Sequence, residues 1–383
     1  MNTALPLSAS LDVVLPEGAA APGAAAPAAR PAAARRRAVV VLAGLAVVLG
    51  GVVLLAVGIG AVRIAPAQVL AILAAHVGVA LPWEYEVQQA LVLTGIRLPR
   101  VLMGVLVGAG LAVSGAYLQG LFRNPLADPG LIGVSSGAAL GAASMIVLGA
   151  LVPGAMASVP GAFGVAAAAF AGGLAVALLV YRLATRGRTT SVTTMLLAGI
   201  ALNALCGAGT GVLVLLSDDG QLRDLTFWTL GSLGGATWGA LAVVAPLVGA
   251  ALLAAPRLAR ALNVMLLGEA EARHLGVNTE RTKRRVIALA ALTVGGATAV
   301  SGLIGFVGLV VPHLGRLLLG PDHRVLVPAS ALLGAVLLVA ADLLARTVVQ
   351  PAEIPIGILT ALAGAPFFLA LLLRRQRTAW SAS

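Results

Sequence analysis

Long stretches without a single charged residue set the strongest limit on what this chain can fold into. Only 25 Lys and Arg plus 14 Asp and Glu occur among 383 residues, a charged fraction of 10%, against about 25% in soluble domains. The windows that lack all four residue types are 38–62, 101–122, 129–181, 189–217, 225–256, 286–315, 325–341 and 354–373. A membrane-spanning helix needs about 20 apolar residues. The sequence therefore predicts an all-α, polytopic membrane protein and excludes a soluble enzyme, a disordered chain and a collagen-like chain.

The windows divide into ten predicted transmembrane helices. The 129–181 window is long enough for two helices, with a turn near Pro153-Gly154 and Pro160-Gly161. Gly302 and Gly305 break the window that begins at 286 into two helices. In the 225–256 window we expect a short helix, a glycine-rich break at 231–235 and a full span from about Trp238.

Basic residues orient these helices. The uncharged segment 64–83 is not counted as a span, and we expect 64–90 to lie outside as short helical pieces. Both termini are then cytoplasmic, and twenty of the 25 Lys and Arg fall on the cytoplasmic side. This is the bias that cytoplasmic loops carry, and it explains the net charge of +11 without nucleic acid. The basic residues left outside are Arg63, Arg97, Arg100, Arg223 and Arg346.

The chain divides into two parts of different composition. Residues 1–34 are rich in Ala and Pro and are predicted to be a disordered tail. Residues 35–377 form the transmembrane domain, whose longest cytoplasmic loop is about 257–285. Four glycines crowd one predicted span, which indicates close helix packing; they are Gly104, Gly108, Gly110 and Gly115.

Several chemistries are excluded by residue counts. Lys283 is the only lysine, and the residues before it do not form the glycine-rich phosphate-binding loop G-x-x-x-x-G-K-[ST]. Uphill transport would therefore need a partner ATPase or an ion gradient. Cys206 is the only cysteine, and the four histidines form no ligand motif, so we expect no disulfide, no metal site and no cofactor held by this chain.

Short blocks along the chain carry a family resemblance. They are RLPR at 97–100, RNPLADPGLIGVSSG at 123–137, LGE at 267–269, HLG at 274–276, GFVGLVVPH at 305–313, DHR at 322–324, ADLLAR at 341–346 and EIPIG at 353–357. In this order the sequence resembles the permease subunits of ATP-binding-cassette importers for iron–siderophore complexes, haem and vitamin B12 (FecCD-type, type II importers). The resemblance spans about residues 38–375.

The resemblance implies an assembly. It implies ten helices per subunit, a homodimer with a central pathway, two ATPase subunits that bind ATP and Mg, and a periplasmic substrate-binding protein. It also implies a multi-pass protein of the bacterial inner membrane.

The resemblance also implies roles for outer residues. Arg97, Arg100 and Arg346 match positions that dock acidic residues of the binding protein, and a guanidinium suits carboxylates because it binds them in a bidentate way. The alternative is that all three are interfacial arginines that extend to the membrane surface. Arg223 is expected to line the pathway near the outer gate; the alternative is an ordinary loop cation near Asp218 and Asp224.

In the loop 257–285, residues 268–276 are predicted to form a short helix closed by a glycine. The resemblance implies that this is the coupling helix, which sits in a groove of the ATPase; the alternative is a solvated loop helix. The residues assigned to it are Gly268, Glu269, Ala270, Arg273, His274 and Leu275.

The substrate expected within the family is haem, because the run 225–234 (LTFWTLGSLG) resembles haem permeases more than vitamin B12 permeases. A ferric siderophore or vitamin B12 is the alternative. An ion-coupled secondary transporter is less favoured, since Asp342 is the only charge well inside a predicted helix. A purely structural membrane protein would leave the loop motifs unexplained.

Overall fold

The computed structural model describes residues 32–149, 161–349 and 351–380, which are almost entirely helical. The helices are α1 (Ala32–Gly58), α2 (Pro66–His76), α3 (Val87–Val92), α4 (Leu98–Leu121), α5 (Val134–Leu148), α6 (Gly161–Ala184), α7 (Val192–Leu216), α8 (Asp219–Leu230), α9 (Trp238–Met265), α10 (Glu269–His274), α11 (Thr279–Ser301), α12 (Val307–Leu319), α13 (His323–Ala345) and α14 (Ile356–Trp380). A π-helical turn at Leu93–Arg97 joins α3 to α4, and a 3-10 turn at Pro129–Ile132 precedes α5. A two-stranded hairpin, β1 (Thr185–Arg186) and β2 (Thr189–Thr190), lies between α6 and α7.

The all-α, polytopic architecture is confirmed. Seven helices are long and apolar enough to cross a membrane, and α5, α12 and the apolar part of α14 (Ile356–Leu371) are shorter apolar segments at three other predicted positions. Together they coincide with the ten predicted spans within the part of the chain described. Helix α2 is apolar but has only 11 residues, in agreement with its assignment to an outer connection.

Some predicted boundaries moved. Helix α1 already begins at Ala32, so residues 32–34 are helical where we expected the tail. The rest of the tail, residues 1–31, lies outside the described residues, as does the predicted turn at 153–160. At the other end of the first span, α1 stops at Gly58, short of Val62.

The glycine breaks are confirmed and lie next to each other. Gly231 directly follows α8 and Gly302 directly follows α11, and both glycines have positive φ angles, of 73° and 67°. The Ser232 N–H donates to the Ser301 carbonyl oxygen at 2.8 Å. Because L-residues rarely adopt positive φ, glycine at these two positions lets the chain turn sharply after each of the two helices, where the two segments meet.

The bundle has two polar ends. The end that holds α8 also holds the carboxyl ends of α1 and α13, because Arg346 bonds carbonyl groups of α1 and Gly231 bonds Ile356. The opposite end holds α10, the β1–β2 hairpin and the amino end of α11. We call these the α8 end and the α10 end. Several of the predicted cytoplasmic basic residues lie in these segments: Arg186, Arg273, Arg281, Lys283, Arg284 and Arg285.

Helix α4 lies at the centre and is mostly buried. It packs against α9, α11, α12 and α13. Its glycines make this possible: a methyl group at Gly108 would collide with the backbone of Gly334 in α13, and one at Gly115 would collide with the backbone of Gly308 in α12. The predicted close packing of this span is thus confirmed, because small residues let helix backbones approach in lipid.

We predict that Gly108→Ala destabilises the bundle by about 1–3 kcal/mol or more, because the new methyl group overpacks a backbone contact. The matched control is Gly50→Ala in α1, where nothing lies within 4 Å of the added carbon. Unfolding temperatures of both variants in detergent measure the difference. Equal unfolding temperatures would contradict the assignment of α4 as the packing centre.

Candidate functional site

The outer arginines meet two carboxylates at the α8 end. Arg100 is only 9% exposed. Its Nε donates to Asp342 Oδ1 at 2.9 Å, and its two terminal nitrogens donate to the Glu353 oxygens at 2.8 and 2.9 Å. This is the bidentate geometry that makes arginine–carboxylate pairs strong. The hydrogen bonds from Arg100 lower the pKa of the Glu353 carboxyl below its ordinary value, so the pair persists in mildly acidic solution.

Arg97 and Arg346 bind the end of α1. Arg97 Nη1 donates to the carbonyl oxygens of Val57 at 2.7 Å and Gly58 at 3.0 Å. Arg346 donates to the carbonyl oxygens of Ala56 and Ile59, and its Nε lies 3.4 Å from Asp342 Oδ2. The last carbonyl groups of a helix have no partner within the helix. The two guanidinium groups therefore cap α1 from other segments of the chain.

The structure thus brings Arg97, Arg100 and Arg346 together at one end, as the docking hypothesis requires. It also shows that each guanidinium already has partners inside the subunit, which the sequence did not reveal. Asp342 and Glu353 are the partners of these arginines that the sequence analysis left unassigned. Their signal was present, since Asp342 was the single charge well inside a predicted helix. Docking of a binding protein stays a prediction.

The predicted loop helix is confirmed as α10. Gly268 precedes it with a φ of 128°, and Gly276 follows it with a φ of 81°. It packs against α9 and α11 through the buried Ala272. Leu267 and Leu275 on either side of it are 65% and 63% exposed, although they lie at a polar end of the bundle.

The side chains of α10 differ in where they lie: some are exposed, and Glu269 faces the bundle. Ala270 and His274 are exposed. Arg273 is half-exposed, and its Nε donates to the Thr279 hydroxyl at 3.1 Å. Glu269 turns inward and accepts a hydrogen bond from Lys283 at 2.7 Å. The contact of α10 with an ATPase stays a prediction; the exposed residues of the helix are mostly polar, and the exposed apolar side chains are the flanking Leu267 and Leu275.

A cleft of about 490 Å³ with a mainly apolar lining lies between α5 and α7. Its polar side chains come from both sides: Ser135, Ser136, Asn203, Thr210 and Asp128. The Ser136 hydroxyl donates to the Asn203 side-chain oxygen, and the Asn203 amide donates to the Gly130 carbonyl oxygen at 3.1 Å. Sequence analysis noted the two serines only within a motif and did not single out Asn203, because an isolated polar residue in an apolar helix carries no positional signal.

Arg223 lies on α8 with an exposed side chain, next to the exposed Asp224 and one turn from the exposed Phe227. The structure therefore keeps it accessible at the α8 end, and its role in the pathway stays a prediction. Among the described residues, no group of three or more His, Cys, Asp and Glu side chains is arranged to hold a metal ion.

Comparisons with known proteins agree on one family. The FecCD transport family matches residues 39–374. A hemin transport system permease protein, HmuU of Yersinia pestis, is 52% identical over 281 residues, which are 73% of this chain and 83% of HmuU. A cobalamin import system permease protein, BtuC of Halobacterium salinarum, is 48% identical over 302 residues, which are 78% of each chain.

A solved structure extends the agreement to the fold. It is described as an inward-facing conformation of a metal-chelate type ABC transporter. It is 34% identical, with a TM-score of 0.73, over 87% of this chain and 98% of that chain. Sequence, motif order and fold lead to one conclusion: this chain belongs to the FecCD transport family.

Proposed function

We propose that the chain is the membrane-spanning subunit of an ATP-driven importer that moves haem from the periplasm to the cytoplasm. The observation that carries the proposal is the 52% identity to a hemin transport permease over 73% of this chain. The chain has no phosphate-binding loop for ATP, so a separate ATPase subunit supplies the energy.

Two other candidate substrates each rest on one of the comparisons. The 48% identity to a cobalamin import permease favours vitamin B12, and the metal-chelate transporter structure favours a ferric siderophore. All three are bulky metal chelates, so they demand the same wide pathway between helices. The chain's own residues do not separate them by charge, because Arg223 suits a haem propionate and any other anionic group alike.

In the proposed assembly two copies of the chain form the pathway across a bacterial inner membrane. The α10 end faces the cytoplasm and the α8 end faces the periplasm. Two ATPase subunits bind on the cytoplasmic side, and a substrate-binding protein docks on the periplasmic side. The concentration of basic residues at the α10 end supports this orientation, since basic loops stay on the cytoplasmic side. Both described termini, Ala32 of α1 and Trp380 of α14, then face the cytoplasm.

At the α10 end, the proposed contact with the ATPase is the surface formed by Leu267, α10 and Leu275. Exposed leucines at a polar end cost free energy in water. A groove on the ATPase that covers them would recover that free energy and hold the helix in place.

At the α8 end, the proposed docking surface for the binding protein surrounds Arg97, Arg100 and Arg346. All three arginines are largely covered within the subunit: Arg97 and Arg100 are 5% and 9% exposed, and the Arg346 side chain is 9% exposed. They would therefore act on the binding protein through their positive charge rather than through fully exposed side chains. Arg100 holds Asp342 and Glu353 in place, while Arg97 and Arg346 hold the end of α1.

We predict ATP-dependent uptake of haem by proteoliposomes that contain this chain, its partner ATPase and its binding protein. Uptake of haem, a ferric siderophore and cobalamin is measured in parallel, with liposomes without ATP as the control. The chain alone should hydrolyse no ATP. Uptake of cobalamin or the siderophore without haem would replace the substrate and leave the importer assignment intact, whereas ATP hydrolysis by the isolated chain would overturn the assignment.

We predict that Leu275→Ala weakens ATPase binding by about tenfold, since burial of a leucine side chain is worth about 1.5–3 kcal/mol. The matched control is Leu216→Ala, which removes a leucine of similar exposure (65% against 63%) at the α8 end of α7. Affinity of the detergent-solubilised chain for the ATPase is the measurement. If both variants bind alike, α10 is a solvated loop helix.

We predict that Arg346→Gln lowers the affinity for the binding protein and reduces the salt dependence of binding. The amide retains a donor for the carbonyl groups of α1 but loses the charge that attracts acidic residues. Glutamate is avoided here because it would face Asp342 inside the subunit. Affinity is measured at two salt concentrations, together with the unfolding temperature, and Arg63→Gln is the exposed control at the same end. An unchanged affinity would leave Arg346 only its role as a cap of α1.

A further inference from the structure

Lys283 forms three bonds at the α10 end. It is 2% exposed. Its ammonium group donates to Glu269 Oε2 at 2.7 Å, Glu280 Oε1 at 3.0 Å and the Thr190 carbonyl oxygen at 2.8 Å. An ammonium group has three protons, so three acceptors at these distances use all of its donors.

The three acceptors belong to three different elements. Glu269 begins α10, Glu280 lies in the first turn of α11, and Thr190 ends the β1–β2 hairpin. The second oxygen of Glu280 accepts from the Thr190 N–H at 3.0 Å, so the N–H and the carbonyl group of Thr190 are both held. Ser191, the next residue, caps the amino end of α7 through its hydroxyl.

The geometry of this cluster favours a role in positioning over a role in stability alone. An exposed ion pair contributes about 0–1 kcal/mol, and an apolar residue often stabilises a buried site as well as an ion pair does. Unlike an apolar side chain, an ammonium group fixes the relative orientation of the three groups that it binds. Here those groups join α10 to the first residues of two long helices.

We propose that Lys283 is a positioning residue that makes α10, the start of α11 and the start of α7 move as one unit. A displacement of α10 then reaches α7 directly through Thr190. Helix α7 supplies Asn203 and Thr210 to the cleft shared with α5, so the same displacement changes the width of that cleft. The inference rests on the proposed function of α10 as the ATPase contact.

The test uses the complete complex in proteoliposomes with three variants. Lys283→Met removes the ammonium group and keeps the length of the side chain. Glu280→Gln weakens the same cluster from another residue and decides the test if Lys283→Met does not fold. Arg284→Met is the matched control, since Arg284 is the next residue, is exposed and carries the same charge.

Two quantities are measured in each variant. The first is the number of substrate molecules transported per ATP hydrolysed, which we expect to fall about fivefold in Lys283→Met and Glu280→Gln, with assembly and basal ATP hydrolysis retained. The second is amide hydrogen exchange of the segment 185–191, which we expect to become faster because Thr190 loses its partners. Arg284→Met should change neither quantity.

A transport-to-hydrolysis ratio that is unchanged in both cluster variants overturns the proposal, even if hydrogen exchange becomes faster, because the cluster would then be structural only. An equal fall of the ratio in Arg284→Met also overturns it. Failure of the proposed function is distinguishable, since it would show as no ATP-driven uptake by the unmodified complex.

Discussion

Close contact between helix backbones around α4 is the constraint on which the rest of the structure depends. Lipid tails are as apolar as leucine, so no hydrophobic force draws helices together within a membrane. The glycines of α4 remove side chains where α12 and α13 cross it, and this lets dispersion forces act between backbones. The middle of the bundle can therefore do without charge. The charged clusters lie at the two ends, where the outer arginine cluster and the Lys283 cluster form.

In both polar clusters, carboxylates hold basic side chains that bind backbone carbonyl groups of another segment, but the two clusters connect different parts of the bundle. At the α8 end, Asp342 of α13 and Glu353 of the following loop bind Arg100 of α4, and Arg346 beside Asp342 joins Arg97 in capping α1. At the α10 end, carboxylates of α10 and α11 hold a lysine that reaches the hairpin before α7. Each cluster joins elements that are far apart in sequence. The first lies at the proposed docking surface, and the second connects the proposed ATPase-contact helix to α7.

The sequence was sufficient to predict the spans and their breaks, because a window without charge and a glycine pair such as Gly302 and Gly305 are local signals. It was also sufficient for α10, which two glycines enclose. It did not predict that Arg100 meets Asp342, since the two residues are 242 positions apart and nothing local indicates the pairing. The same holds for Lys283 and Thr190, which are separated by 93 positions. Long-range pairs of this kind depend on helix packing, which charge patterns alone do not determine.

The capping of α1 by Arg97 and Arg346 has a consequence for how the protein is made. Helix α1 precedes the other described helices along the chain, and only 6% of its apolar window is buried in the bundle. Its carboxyl end stays without one of its two caps until α13, which ends at Ala345, has been synthesised. Helix α1 also packs against α13, so a chain that stops before α13 leaves α1 without this packing partner and without this cap. Synthesis of α13 therefore completes the attachment of a helix made much earlier.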